Sequence, residues 1–176
     1  MNIDGYEVGL TYSEANFIER SCSQEDAPLV VDIRNIMNAG ILNWAIDVLP
    51  AGISEIPPPE GEFSLACKHA TMKAIAALSY NDGSEAIKIR LKAEHLQAIK
   101  GLACCAIEKA QNSAGNIGIT FEICSDILDS LYPEDADEDI ISEADEESLK
   151  AQAFEDELSR IAIGHSIIAA IDKARS

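Results

Sequence analysis

Apolar residues recur at three- and four-residue intervals through most of this chain, and that period commits it to packing helices side by side. Leu29, Ile33, Ile36 and Met37 share one helical face, with Asp26 and Pro28 suited to the cap and first turn. Gly40 is expected to kink or interrupt that helix before Ile41, Leu42, Ala45, Ile46 and Leu49. Phe63, Ala66, Cys67, Ala70, Ala74, Ala77 and Leu78 line a second face, closed by the Asn81-Asp82-Gly83 turn. A further helix over Ala93–Gln111 carries Leu96, Ile99, Leu102, Ala103, Ala106 and Ile107. The longest helix is expected over Ser148–Ala174, where Phe154, Leu158, Ile161, His165 and Ile168 repeat as an a/d seam and Ile163, Ile167 and Ile171 form a second stripe.

Two segments follow a period of two instead. Tyr6, Val8, Leu10 and Tyr12 alternate with small or polar residues, as do Ile87, Ile89 and Leu91, so both read as short strands. A short helix is expected over residues 13–21. Residues 117–131 fit both periods: Ile117, Ile119, Phe121 and Ile123 alternate, while Ile123, Ile127, Leu128 and Leu131 are spaced for a helix. The expected fold is therefore mainly α, a single-domain bundle of five or six helices with one or two short β-strand pairs.

Proline and charge divide the chain further. Pro57-Pro58-Pro59 lacks three consecutive backbone donors, so 50–61 is an extended connector within a helical core spanning 1–133. Residues 134–147 read as an acidic linker kept open by self-repulsion, and 148–176 as a terminal helix packed on the core or on another chain. The seam of that helix suits a homo-oligomer as well as an intramolecular partner. The net charge of −18 lies mostly at the two ends: residues 1–60 contribute −8, 61–130 contribute −1 and 131–176 contribute −9. Such a field opposes direct binding of nucleic acid or anionic lipid and attracts a basic protein.

No apolar run is long enough for a membrane span, and Met1-Asn2-Ile3-Asp4 lacks the basic and apolar regions of a secretory signal. Five cysteines with no C-x-x-C spacing read as reduced core thiols, the vicinal pair Cys104-Cys105 included, which predicts a cytoplasmic protein. Cys67 and His69 lie two apart and would point to different helical faces, so no zinc site is expected. His165 on the seam is read as a partly buried packing residue.

The calcium reading rests on register. Asp135, Asp137, Asp139, Glu143 and Glu146 occupy positions 1, 3, 5, 9 and 12 of an EF-hand loop over 135–146, but Ile140 stands where that loop needs glycine. No nucleophile, phosphate or dinucleotide motif is present, and no cofactor, metal or catalytic residue is assigned.

Ile87-Lys-Ile-Arg-Leu91, the helix through Leu96 and Ile99, and a second helix after Asn116 together resemble a ribbon-helix-helix repressor. The resemblance implies base contacts by Lys88, Arg90 and Lys92. It carries no family-specific motif, its first helix is longer than the family's, and the net charge opposes DNA, so no family is assigned.

The expected function is non-catalytic: an acidic protein that covers a basic surface of a partner, as immunity proteins, antitoxins, chaperones and nucleic-acid mimics do. Its contact residues are expected to be Asp135, Asp137, Glu138, Asp139, Glu143, Glu146 and Glu147, with Phe154 as apolar anchor. The alternatives are a helical-bundle enzyme or small-ligand binder, with His69, His95 and Glu94 as acid-base candidates, and a calcium-binding protein through 135–146.

Overall fold

The computed structural model describes residues 5–23, 26–53, 55–57, 63–131 and 143–176, with the side chains at 63–66, 124, 125, 128, 129, 143 and 144 left aside. In chain order its elements are β1 (Tyr6–Leu10), α1 (Tyr12–Cys22), α2 (Pro28–Val48), α3 (Phe63–Tyr80), β2 (Ile87–Leu91), α4 (Ala93–Gly115), α5 (Ile117–Leu131) and α6 (Glu143–Arg175). The protein is mainly helical, with six helices and one two-stranded antiparallel sheet among the described residues.

The chain divides into two compact units, Met1–Ala103 with Ser166–Ser176, and Cys104–His165; α4 and α6 contribute residues to both. The first unit is built on the ribbon. Val8 pairs with Ile89 and Leu10 with Ile87, so the apolar positions of both strands share one buried face, as the period-two pattern requires. That face packs against α2, where Gly40 stands beside β2: a Cβ there would lie 2.9 Å from Ile89 Cγ1. Gly40 does not interrupt the helix: α2 runs through it, and the residue serves close approach to Ile89.

Local signals set the helix ends. Thr11 caps α1 in a capping box: the Glu14 N–H donates to Thr11 Oγ1 at 3.2 Å, and the Thr11 N–H donates to Glu14 Oε2 at 3.4 Å. At α2 the cap is Ala27, with no side-chain hydrogen bond, so Asp26 does not cap; Pro28 supplies the start. Between α3 and β2, Gly83 takes φ +76° and its N–H donates to Asn81 Oδ1 at 3.0 Å, the geometry its turn demands. The described part of 50–61 contains neither helix nor strand.

Residues 117–131 are helical throughout. Alternating side chains alone do not make a strand; a strand needs a partner for its backbone groups, and the only ladder among the described residues joins β1 to β2. In the first unit the final turns of α6 bury Ile167 and Ile171, Ser166 Oγ donates to Glu14 Oε1 at 2.8 Å, and Lys100 pairs with Asp172 at 3.0 Å. Along α6, Ile167 and Ile171 of one stripe are buried and Ile163 is half-buried; of the expected seam, Ile161 and Ile168 are half-buried and Phe154, Leu158 and His165 are exposed. The helix begins at Glu143, five residues before the expected Ser148.

Candidate functional site

His95 is the most buried imidazole, at 2% exposure, and both of its nitrogens are engaged. It stands at the third position of α4, where its Nδ1 accepts from the Lys92 backbone N–H at 3.1 Å, the role a glutamate plays in a capping box. Its Nε2 therefore carries the hydrogen and donates to Asp32 Oδ2 on α2 at 2.7 Å. An imidazole held at both ends ties two elements together and presents no free nitrogen to a substrate. His69 is buried on α3, and Glu94 is exposed beside His95.

A polar group that the sequence pattern did not single out gathers where α1, α2 and α3 meet. Asn38 Nδ2 donates to Cys67 Sγ at 3.0 Å and the same side chain hydrogen-bonds Glu19, with Arg34 one turn away on α2. Burial raises the Glu19 carboxyl above its ordinary value, against the pull of Arg34, Arg20 and the Asn38 bond. Burial, then the Glu19 charge, raises the Cys67 thiol in turn. A raised thiol is protonated and weakly nucleophilic, and the hydrogen bonds of this group join α1, α2 and α3. Only the i, i+4 spacing of Arg34 and Asn38 within an apolar helix marked it in sequence.

The second unit differs in character. Residues 104–165 carry 16 acids against 3 bases, −13 of the chain's −18, leaving −5 on the rest. Every buried apolar side chain among the described residues belongs to the first unit except Ile107 and Ala110. Large apolar side chains are exposed on both units: Met72, Ile75 and Tyr80 of α3 in the first, and in the second Ile119, Ile123, Ile127 and Leu131 on α5 and Leu149, Phe154 and Leu158 on α6. The four on α5 follow one another at intervals of four, and Ile123, Ile127 and Leu131 line an open depression together with Asp126 and Ser130. Lys150 connects α6 to α5: its Nζ lies 5.9 Å from the Phe121 ring centroid, 3.1 Å from Glu146 and 3.9 Å from Glu147.

Of the expected contact residues, Glu146 and Glu147 lie on the first turns of α6 with Lys150 as their counter-ion, and Phe154 is 46% exposed further along it. Glu143 opens α6, with its side chain outside the description. Asp135, Asp137, Glu138 and Asp139, and with them most of the calcium-loop register, lie outside the described residues. No group of three or more His, Cys, Asp or Glu among the described residues is placed to hold a metal ion. The vicinal cysteines correct an expectation: Cys104 and Cys105 are both exposed, and only Cys22 of the described thiols is fully buried.

Lys88, Arg90 and Lys92, the residues that the ribbon-helix-helix resemblance implies, are all exposed. Lys88 lies 3.9 Å from Glu7 of β1, and β2 is paired within its own chain. No described helix is long and apolar enough to cross a membrane. No family model, curated protein or solved structure matches the chain.

Proposed function

We propose that this protein is a non-catalytic binding protein whose acidic unit, 104–165, covers a basic surface of a partner protein. The observation that carries the reading is the uneven charge of the two units: nearly all of the buried apolar side chains belong to one, and most of the negative charge is gathered on the other. A field concentrated on one part of a molecule steers an oppositely charged partner to that part and speeds encounter. It also makes the complex sensitive to salt, because exposed charges are screened over about 8–10 Å at physiological ionic strength.

Contact is assigned to Asp135, Asp137, Glu138, Asp139, Glu143, Glu146 and Glu147, with Phe154 as the apolar anchor. Affinity capture from native lysate tests this directly. A partner retained at low salt and released at high salt is expected, and reversing Asp135, Asp137, Glu138 and Asp139 to lysine should weaken its retention. Unchanged retention by that variant would remove the assignment.

A further inference from the structure

The apolar row on α5 asks for a cover that the described residues do not provide. Surface helices normally bury their apolar stripe, and a contiguous row of exposed aliphatic side chains marks a place where another surface binds. Ile119, Ile123, Ile127 and Leu131 are each more than half exposed, in a unit whose only buried apolar side chains among those described are Ile107 and Ala110.

Resting on the binding role proposed above, we propose that the α5 row is the seat of a cationic amphipathic helix supplied by the partner. The row supplies anchors one turn apart, which match apolar residues at i and i+4 of an incoming helix. Glu122 and Asp126 are exposed along the same helix, so the flanks of the seat are acidic and the flanks of its occupant are basic.

Charge decides against a second copy of this chain. Each copy would bring 16 acids and only 3 bases in this unit. Two of those bases are already committed, Lys150 to Glu146 and Glu147, and Arg160 to Glu157 at 3.1 Å. Two such faces repel, whereas lysine and arginine beside an apolar stripe satisfy both the row and its flanks.

The test uses the full chain and two synthetic leucine-lysine peptides of about 18 residues, one amphipathic as a helix and one scrambled at identical composition. Binding is read by calorimetry at low salt. The amphipathic peptide should bind at least about tenfold tighter than the scrambled one. Ile123→Gln with Ile127→Gln should abolish that preference while leaving the weaker, charge-driven binding of the scrambled peptide intact. Glutamine keeps helix propensity, and far-ultraviolet circular dichroism checks that the helix persists. Met72→Gln with Ile75→Gln, at exposed residues of α3 in the other unit, should leave the preference unchanged.

Equal binding of both peptides, or a preference that survives the α5 substitutions or falls equally with the α3 pair, overturns the helix seat and leaves the acidic-binder reading standing. Sedimentation showing a dimer that the α5 substitutions dissociate overturns the proposed occupant in favour of a second copy. Absence of binding to either peptide at low salt overturns the inference together with the reading beneath it.

Discussion

The His95 ring bridges the start of α4 and the middle of the first unit, accepting from Lys92 at one nitrogen and donating to Asp32 at the other across 2.7 Å. That one contact joins residues 63 positions apart in sequence and fixes the tautomer of a buried side chain.

Removing the ring should therefore cost more than its apolar volume alone. His95→Ala is expected to lower unfolding free energy by about 2–3 kcal/mol, from the lost cap and the lost hydrogen bond to a charged group. Asp32 is 56% exposed in its side chain, so Asp32→Asn, which can still accept, should cost less than about 1 kcal/mol. Urea unfolding measures both, and nitrogen-15 NMR should show the hydrogen on Nε2.

Gly40 is the converse case, a position that helix propensity alone would fill with alanine. Alanine gains about 1 kcal/mol in a helix interior, but overpacking a core costs about 1–3 kcal/mol. Ile89 is 3% exposed and has little room to yield, so Gly40→Ala should be net destabilising and Gly40→Val more so. In a double-mutant cycle, Gly40→Ala with Ile89→Ala should cost less than the sum of the single changes.

Glu19 gives a pH dependence of defined sign. Its carboxyl is raised above 4.5, chiefly by burial, so the folded state holds that proton more tightly than the unfolded state does. The penalty for burying its charge is fully present above the raised value and is relieved as pH falls through it toward 4.5. Glu19→Gln should then stabilise the protein at neutral pH, and its advantage over the natural sequence should shrink on acidification. Denaturant midpoints of the two proteins across pH, taken as a difference, cancel the other carboxylates.

Thiol accessibility separates the cysteines. Cys104 and Cys105 should react rapidly with a thiol reagent in the folded protein, and Cys22 only on unfolding. Cys104→Ser with Cys105→Ser should remove the rapid phase assigned to them, leaving Cys22 slow.

Legibility followed the physics of each signal. The strands at Tyr6–Leu10 and Ile87–Leu91 were readable because alternation over five residues admits little else beside a turn. Helix α3 and the Gly83 turn were readable because their cues are local. The Glu19, Asn38 and Cys67 group was not, since its members come from three helices and the spacing of Arg34 and Asn38 on one of them does not say which residues of the others they meet. The vicinal cysteines misled because apolar neighbours in sequence lie on every side of a helix, and only one side is covered.

By itself the sequence determined the helical class, the two strands and the places where the backbone must turn, because those depend on residue periodicity, on proline's missing donor and on glycine's freedom at φ > 0. It also set the charge of each segment. Which apolar positions of α6 are buried, that Gly40 admits Ile89, and that α5 leaves Ile119, Ile123 and Ile127 exposed were decided only by tertiary structure. Burial belongs to pairs of surfaces, and a single strand of sequence lists the candidates for each surface without naming its neighbour.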